Sequence, residues 1–403
     1  MRKWGTYMKY LSGGLEKVPG YRFSAVECGI RYDGRLDYCL IVSEGLCNAA
    51  GVFTTNKIAA APVKLCRERI NGPIKAILAN ATNANACTGD HGYLNAKKLT
   101  RDIAERTGVP PESVLMASTG IIGRQLPVEK MMGSHPALVS ALTPESGGLI
   151  PRTIITTDTV PKQACVSFET RQGEFRIAGA AKGAGMIAPN MATLLCFIIT
   201  DAPVPKSYLD AAFRRCVDTT LNTITIDGDM STNDTALILS PLSDAPLSDE
   251  HGLRNFEEAL HDLLARLSEM LIADGEGTTK SVRIIVKNAR SKTDASAIAR
   301  AIAESLLVKT AFFGNDPNWG RIAAAAGYSG AAVEESALSI YFNDMPLLVK
   351  GTPADFNSNS LVDIMRNNAF SVTVDIGLGR SEASMLTTDI SVDYVKINSE
   401  YST

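Results

Sequence analysis

The sequence contains few residues of the kinds that bind metals, and these residues are not paired. Its 403 residues include four histidines without H-E-x-x-H or another paired-ligand spacing, and eight cysteines without a C-x-x-C pair. A zinc site therefore has no support in the sequence. The cysteines are expected to be reduced thiols that are mostly buried. We predict neither a metal ion nor another cofactor.

Blocks of one charge and long apolar runs are also missing. Lys and Arg together number 40 and Asp and Glu 43, which gives a net charge of −3 without a basic block. This pattern does not favour a nucleic-acid partner. No run approaches the roughly 18 apolar residues of a membrane span, and no apolar signal segment follows Arg2 and Lys3. We expect no membrane partner and a location in the cytoplasm.

What the sequence does contain is typical of a globular protein with more than one structural unit. Apolar residues make up 45% and charged residues 21% of the chain. Strand and helix patterns alternate without a regular βαβ rhythm, which favours an α/β fold with mixed or antiparallel sheets. Strands are predicted at 75–80, 114–117, 153–159, 174–179, 193–200, 281–287, 370–376 and 384–390, and helices at 94–107, 207–221, 256–271 and 294–307.

The central feature is a strand at 174–179, a glycine-rich loop and a continuous apolar strand at 193–200. Residues 183–188 fit the dinucleotide pattern G-x-G-x-x-A, but that motif requires a helix to follow. Here Pro189 and Asn190 interrupt, and the next segment is a strand. A nucleotide site is therefore disfavoured, and an ordinary hairpin loop remains an alternative.

Thr193 favours a catalytic interpretation of this loop. It places a hydroxyl at the first residue of a buried strand, directly after Ala192. Threonine is a strong nucleophile when its own free α-amino group acts as the base, which requires cleavage of the bond between these two residues. The small and glycine residues before this bond permit the backbone distortion that self-cleavage needs.

Two further segments at strand ends have both a structural and a functional interpretation. Residues 81–89 form a loop of small and polar residues, with Asn80, Asn83 and Asn85 at the end of a predicted strand. Residues 118–123 contain a Ser-Thr-Gly sequence and a second glycine. They form either a turn or an oxyanion hole, in which a backbone N–H and a hydroxyl bind a negatively charged oxygen.

The acidic segment 226–234 superficially resembles a calcium-binding loop. The twelfth position of such a loop requires glutamate, and Ile238 stands there. We therefore discount a metal.

Glu276, in a loop after a predicted helix, is by itself an ordinary solvated acid. The loop 313–321 contains aromatic, Asn and Arg residues to which the sequence assigns no chemical role.

Taken together, these motifs closely resemble the glutamate N-acetyltransferase (ornithine acetyltransferase) family of arginine biosynthesis. The resemblance covers essentially the whole chain. It is specific, because several separate motifs agree in order and spacing. One departure lies in the Asn-rich loop, where the family typically has Ser-Gly and this chain has Ala81 and Thr82.

The resemblance implies a fold of two packed mixed β-sheets flanked by helices, an αββα-like sandwich, with a smaller C-terminal αβ unit. It assigns residues 1–280 to a catalytic region that contains the cleavage site between Ala192 and Thr193. It assigns residues 281–403 to a C-terminal unit whose tail returns to the site.

The implied reaction moves an acetyl group from N2-acetyl-L-ornithine to L-glutamate through an acetyl ester on Thr193. Synthesis of N-acetylglutamate from acetyl-CoA is possible in this family as well. The cleaved chain would associate as a heterotetramer of two α and two β segments. The resemblance implies oxyanion donors at Thr119 and Gly120, and substrate-binding residues at Thr156, Lys182, Thr193, Glu276, Asn398 and Thr403.

Two other classes of function are compatible with the same motifs. A related self-cleaving fold hydrolyses peptides, so an aminopeptidase-like hydrolase is the alternative enzyme. Release of acetate or amino acids without an acceptor would favour it. A non-enzymatic binding protein is the other alternative, and an uncleaved chain without acetyl transfer would favour that.

Overall fold

The computed structural model of the protein describes residues 8–188, 194–355 and 358–400. These residues form two compact units. The N-terminal unit contains the described residues up to Asn222 together with Asp229–Leu271, and the C-terminal unit contains Thr223–Gly228 and the described residues from Ile272 onward. The functional division between residues 280 and 281 stays a prediction.

The described residues contain sixteen strands: β1 Met8–Leu11, β2 Tyr21–Val26, β3 Tyr38–Phe53, β4 Ile74–Asn80, β5 Val114–Ser118, β6 Lys162–Thr170, β7 Gly173–Lys182, β8 Leu195–Thr200, β9 Ile224–Thr225, β10 Thr235–Pro241, β11 Ser281–Ala289, β12 Ser339–Phe342, β13 Met345–Val349, β14 Thr352–Pro353, β15 Ala369–Asp375 and β16 Ser381–Thr388.

The same residues contain eleven α-helices: α1 Ala61–Arg69, α2 Gly89–Thr107, α3 Val128–Ser140, α4 Leu149–Ile154, α5 Lys206–Thr219, α6 Glu250–Ala273, α7 Lys292–Glu304, α8 Leu306–Phe313, α9 Trp319–Gly327, α10 Ser358–Arg366 and α11 Val392–Glu400. Short 3-10 helices lie at Leu15–Lys17, Pro111–Ser113, Pro144–Gly148, Leu221–Thr223 and Glu335–Ala337.

The N-terminal unit is built on a mixed sheet of nine described strands. Their order is β1-β6-β7-β8-β10-β3-β4-β5, and β2 also pairs with β3. The pairs β8/β10 and β4/β5 are parallel, and the other pairs are antiparallel. Leu195 lies opposite Lys182 on one side and opposite Thr235 on the other. The end of β7 and the beginnings of β8 and β10 therefore meet at one edge of the sheet.

Apolar side chains explain why these segments form the sheet. Every residue of β8 is buried, as expected for a strand that is covered on both faces. One core cluster joins apolar residues of β3, β4 and β5 to those of β7, β8 and β10. A second cluster packs α2 and α3 against β3, β4 and β5.

The C-terminal unit contains a second mixed sheet, of seven described strands in the order β14-β13-β12-β15-β11-β16-β9. The pairs β11/β15 and β16/β9 are parallel. In β11 the residues Val282, Ile284 and Val286 alternate with more exposed ones and belong to a core that also includes Ile298 and Phe312 from α7 and α8. Period-two burial of this kind is typical of a strand with one face on the core.

The predicted fold class, α/β with two mixed sheets and flanking helices, is confirmed. Two local predictions are wrong. The hydroxyl-rich segment 153–159 is not a strand, because α4 continues to Ile154 and the Thr153 hydroxyl donates to the Leu149 carbonyl at 2.8 Å. The helix predicted at 294–307 is two helices, because the Ser305 side chain accepts the Val308 N–H and begins α8.

Two features are absent from the described residues. No helix among them is long and apolar enough to cross a membrane. The same part of the chain has no group of three or more His, Cys, Asp or Glu side chains that could hold a metal ion.

Candidate active site

The segment predicted as an oxyanion hole follows β5 and lies against the Asn-rich loop. The Thr119 N–H donates to the Asn80 carbonyl at 3.0 Å, and the Ile121 N–H donates to the Thr82 carbonyl at 3.4 Å. Among the described residues, no partner accepts the N–H of Gly120 between them. This arrangement leaves one backbone donor available between two that are fixed.

Gly120 is required by the backbone at this point. Its φ is +131°, and a Cβ there would lie 2.1 Å from the carbonyl carbon of Thr82 and 2.4 Å from the nitrogen of Asn83. Both obstructions are backbone atoms, so a larger residue cannot be accommodated by moving a side chain. The close approach of two loops, as well as the positive φ, explains the glycine.

The asparagine side chains of the loop brace it. The Asn80 amide donates to the Asn83 carbonyl at 2.9 Å, and its oxygen accepts the Ser118 hydroxyl at 2.6 Å. The Asn85 amide donates to the Gly92 carbonyl at 2.9 Å. All three asparagines are buried. Their side chains therefore support the backbone of the oxyanion segment.

Asn233 adds a second brace from a different part of the chain. Its amide nitrogen donates to the Ala84 carbonyl at 2.6 Å and to the Ser118 carbonyl at 2.8 Å. The side chain is buried, and it lies two residues before the start of β10 at Thr235. It links the Asn-rich loop, the end of β5 and the start of β10 through one amide group.

Lys182, the last residue of β7, is buried and contacts the oxyanion segment directly. Its ammonium donates to the Thr119 hydroxyl oxygen at 3.3 Å. Because a hydroxyl oxygen that accepts this bond still has its own O–H to donate, Thr119 retains a donor for another group. The neighbouring positive charge also favours a negatively charged acceptor.

Asp158 connects three segments around Lys182. One carboxylate oxygen accepts the Lys162 ammonium at 2.6 Å and the Gly183 N–H at 2.7 Å. The other oxygen accepts the Thr156 N–H at 3.1 Å. The carboxylate thus fixes the loop after α4 and the start of the glycine-rich loop relative to β6.

Burial alone would raise the pKa of Asp158, whose side chain is fully enclosed together with that of Lys162. The charges of Lys182 and Lys162 and the hydrogen bonds to the carboxylate outweigh this effect, so its pKa lies below the ordinary value. Asp158 is therefore an ionised acid in a buried setting.

Asp234 is a second buried acid near Lys182, and its pKa is shifted in the opposite direction. It is 1% exposed, and neither of its carboxyl oxygens has a hydrogen-bond partner of good geometry among the described residues. Burial raises the pKa of Asp234 well above its ordinary value, and the nearby Leu194 N–H, the Thr54 hydroxyl and the Lys182 charge offset this only in part. Burial of Asp234 therefore favours its uncharged form.

The C-terminal unit holds its own pair of predicted site residues. The Asn398 amide donates to the Glu276 carboxylate at 2.8 Å. One turn earlier on α11, the Tyr394 hydroxyl donates to the Asp227 carboxylate at 3.2 Å. These contacts tie the last described helix to the loop that contains Glu276 and to the segment Thr223–Gly228.

A buried lysine supports the same region of the C-terminal unit. The Lys309 ammonium donates to the Thr387 hydroxyl at 2.6 Å and to the Thr388 carbonyl at 2.8 Å. Burial lowers the pKa of Lys309 to about 7. Asp389, directly after β16, accepts the N–H groups of Thr279 at 2.9 Å and of Lys280 at 3.0 Å. This side of the Glu276 loop is thus fixed by the end of β16.

The structure brings together some of the predicted site residues. Thr119, Gly120, Lys182 and the Thr156 backbone share one network in the N-terminal unit, and Glu276 and Asn398 share another in the C-terminal unit. The predicted cleavage site at Ala192 and Thr193, and the predicted substrate contact at Thr403, lie outside the described residues. Their roles stay predictions.

Sequence reasoning missed Asp158, Asn233 and Asp234 as parts of the site. Asp158 lies in the segment that was expected to be a strand with exposed threonines. The other two end the acidic segment that we considered, and discounted, as a calcium loop. Asn233 and Asp234 lie close to β5 and β8 because strands that are distant in sequence pair with one another. The only sequence signal for this proximity was the position of the two residues directly before an apolar strand.

Thr82 generates a testable prediction about stability. It occupies φ +71°, which is strained for a β-branched residue, and its hydroxyl is buried without a partner among the described residues. Thr82→Gly should raise the free energy of unfolding by about 1 kcal/mol, because relief of about 1–3 kcal/mol of strain exceeds the added flexibility of the unfolded chain. Urea unfolding measures this change.

Thr219 provides the control, because it lies in the last turn of α5 and has no positive φ. Thr219→Gly should lower the free energy of unfolding by roughly half a kcal/mol. Equal destabilisation by both substitutions would show that Thr82 is not strained.

The chain is similar to known proteins over nearly its whole length. The ArgJ family matches the chain over residues 22–403. The arginine biosynthesis bifunctional protein ArgJ of Geobacter sulfurreducens is 47% identical over 396 residues, which cover 96% of this chain and all of that protein. The glutamate N-acetyltransferase of Methanosarcina mazei is 40% identical over 405 residues, which cover 98% of this chain and all of that protein.

Among solved structures, the arginine biosynthesis bifunctional protein ArgJ of Bacillus halodurans matches with 33% identity and a TM-score of 0.48. This match covers 51% of the present chain and 98% of the solved one. From the extent and identity of the sequence matches, the chain belongs to the ArgJ family and is an acyltransferase of arginine biosynthesis.

Proposed function

We propose that the protein is a glutamate N-acetyltransferase that transfers an acetyl group from N2-acetyl-L-ornithine to L-glutamate through an acetyl ester on Thr193. The names of the sequence relatives support this reaction class. The single observation that carries the proposal is the contact between Lys182 and Thr119, at the sheet edge where β8 begins.

The nucleophile has to be generated by self-cleavage. The Thr193 hydroxyl attacks the carbonyl carbon of Ala192, and hydrolysis of the resulting ester frees the Thr193 amino group. This amine then takes the hydroxyl proton when the acetyl donor is attacked, and later returns it to the departing amine. The strand β8 begins two residues after Thr193, and every residue of β8 is buried. This burial supports a fixed position for the strand that follows the nucleophile.

The oxyanion of each acyl step needs donors that are in place before the reaction. The available N–H of Gly120 and the O–H of Thr119 supply two donors on adjacent residues. Bracing by Asn80 and Asn233 keeps these groups fixed, so that little reorganisation is needed as charge develops.

Substrate recognition follows from charge. Lys182 provides a cation that suits the α-carboxylate common to ornithine and glutamate. Glu276, held by Asn398, provides an anion that suits an amino group. The roles of Thr156 and Thr403 as further substrate contacts rest on the resemblance of their motifs. The backbone N–H of Thr156 is positioned by its hydrogen bond to Asp158, and this bond does not involve the Thr156 side chain.

The proposal extends to assembly and compartment. Cleavage would give an α segment of residues 1–192 and a β segment of residues 193–403, and we propose that two copies of each associate in the cytoplasm. The relatives differ in whether their names include a bifunctional activity. An assay with radiolabelled acetyl-CoA and glutamate decides whether acetyl-CoA is a second donor.

The first prediction of this proposal concerns self-cleavage. Denaturing electrophoresis of the purified protein should resolve two segments, and N-terminal sequencing of the C-terminal one should begin at Thr193. Thr193→Ala removes the attacking hydroxyl, so this variant should stay intact. Cleavage of this variant at the same bond would exclude Thr193 as the group that cuts the chain.

The second prediction concerns the oxyanion donors. Thr119→Ala should lower kcat by about 10²–10³, the usual effect of losing one such donor. Thr119→Ser keeps the hydroxyl and serves as the matched control, with a kcat within about tenfold of wild type. Both are measured on protein whose cleaved fraction has been determined. A loss below about tenfold for the alanine variant would place the hydroxyl away from the reacting carbonyl.

The third prediction concerns the order of the reaction. Because donor and acceptor are amino acids of similar size, one pocket can bind them in turn, and the ester on Thr193 links two similar acyl steps. Double-reciprocal plots at several glutamate concentrations should be parallel. Incubation with N2-acetyl-L-ornithine alone should add one acetyl group to the β segment, as measured by mass spectrometry.

Intersecting lines, together with an unmodified β segment, would instead indicate direct transfer in a ternary complex. The alternative hydrolase is tested in the same assay, because it would release acetate from N2-acetyl-L-ornithine when glutamate is left out.

A further inference from the structure

Glu276 lies in a tight turn of the C-terminal unit. The Thr278 N–H donates to the Gly275 carbonyl at 3.0 Å, which closes a four-residue turn with Glu276 at its second position. Gly277, at the third position, has a φ of +62°, a conformation that glycine adopts without strain. The position of the Glu276 carboxylate therefore depends on how this turn is held.

The segment that follows β16 holds the loop at two points. The Asp389 carboxylate accepts the N–H groups of Thr279 and Lys280, so it fixes the base of the loop, where the chain enters β11. Two residues after Asp389, the buried Ser391 hydroxyl donates to the Gly277 carbonyl at 2.6 Å. Among the described residues, Ser391 is the only side chain that forms a hydrogen bond with the backbone of the turn itself.

The same hydroxyl also fixes the beginning of α11. Its oxygen accepts the Tyr394 N–H at 3.2 Å, which is the pattern of a helix N-cap. The turn and the helix are in close contact here, since a Cβ at Gly277 would lie 2.4 Å from the Tyr394 nitrogen. No residue of α11 is buried, so polar contacts of this kind hold the helix in place.

The helix α11 in turn carries the partner of the Glu276 carboxylate. The side-chain amide of Asn398 donates to the Tyr394 carbonyl at 3.0 Å and to one Glu276 oxygen at 2.8 Å. Its nitrogen has two hydrogens and can form both bonds at once. No cation of the described residues pairs with Glu276, and its second oxygen has no donor among them. The carboxylate is therefore able to accept an ammonium group.

We propose that Ser391 is a positioning residue, which sets the Glu276 carboxylate for the amino group of the acetyl donor. The inference rests on the proposed function and deepens it. In N2-acetyl-L-ornithine the α-nitrogen carries the acetyl group, so the free amino group is the one at the end of the side chain. One hydroxyl fixes both the turn that contains Glu276 and the helix that contains Asn398. Its loss should weaken recognition of that amino group and leave the acyl chemistry intact.

The experiment compares two acetyl donors, N2-acetyl-L-ornithine and N-acetyl-L-norvaline, which has the same carbon chain without the side-chain amino group. With glutamate as acceptor, kcat and KM are determined for each donor. Ser391→Ala should lower kcat/KM for N2-acetyl-L-ornithine about tenfold, mainly through KM, because a binding group is misplaced. For N-acetyl-L-norvaline, kcat/KM should stay within about twofold of wild type, because this donor has no group for Glu276 to bind.

A double substitution tests whether Ser391 acts through Glu276. Glu276→Gln removes the negative charge and should by itself reduce the preference for N2-acetyl-L-ornithine over N-acetyl-L-norvaline. In that background, Ser391→Ala should change the preference no further, because two residues that act as a unit are not additive. An equal effect of Ser391→Ala with and without Glu276→Gln would overturn the inference.

Ser291 provides the matched control, because it caps α7 in the same unit. Its side chain accepts the Asp294 N–H at 3.0 Å. Ser291→Ala removes a cap of the same kind, and urea unfolding measures the loss of stability in both alanine variants. Only Ser391→Ala should change the donor preference.

Ser391→Gly is the second variant, because glycine is tolerated at an N-cap but has no hydroxyl for the turn. It should lose the donor preference to the same extent as Ser391→Ala. A glycine variant with the wild-type preference would overturn the inference, because the bond from Ser391 to Gly277 would then have no effect on Glu276.

The remaining outcomes separate two kinds of failure. Wild-type protein that transfers no acetyl group from N2-acetyl-L-ornithine to glutamate would refute the proposed function. Wild-type protein that does transfer it, together with an unchanged preference in Ser391→Ala, would overturn only the positioning role. An equal loss of activity toward both donors would also overturn this role, because a general disturbance of the fold has that effect.

Discussion

The charge of one buried carboxylate determines how the segments around the candidate site are arranged. Removal of a carboxylate from water costs several kcal/mol, and only close partners offset that cost. The Asp158 carboxylate accepts hydrogen bonds from the Lys162 ammonium, the Gly183 N–H and the Thr156 N–H. Loss of any one of them would leave charge insufficiently compensated. The loop after α4, the beginning of β6 and the glycine-rich loop are consequently held together.

Backbone crowding gives the oxyanion segment its rigidity. Gly120 touches backbone atoms of the Asn-rich loop, so the two loops cannot move independently. The Asn80 amide donates to the Asn83 carbonyl, and the Asn233 amide donates to the carbonyls of Ala84 and Ser118. Because these amides hold the neighbouring backbone, the N–H of Gly120, which has no acceptor among the described residues, has a fixed direction. Preorganised donors of this kind are what an acyl-transfer site requires.

Much of the fold was predictable from local pattern, and the missed features are of two kinds, local capping and contacts between segments distant in sequence. The apolar run of Leu195–Thr200 identified a strand buried on both faces. The break at Ser305 was missed because a serine inside a helical pattern is also compatible with a continuous helix, so its role as a cap is not evident from the sequence. The motif of Thr119 and Gly120 could be found from its residue types. The brace provided by Asn233 could not, because it joins carbonyls more than 100 residues away in sequence.

The pKa values of the two buried acids are shifted in opposite directions, which favours a positive field at the site. Lys162 and Lys182 bring two ammonium groups into a buried region, and Asp158 compensates one of them. If Asp234 were ionised as well, its charge would cancel the remaining one and compete with a substrate carboxylate for Lys182. Complete burial opposes this ionisation, because it raises the pKa of Asp234 well above the ordinary value. Two acids of the same chemistry thus differ in their setting, since the Asp158 carboxylate orders the loops and burial favours the uncharged form of Asp234 beside Lys182.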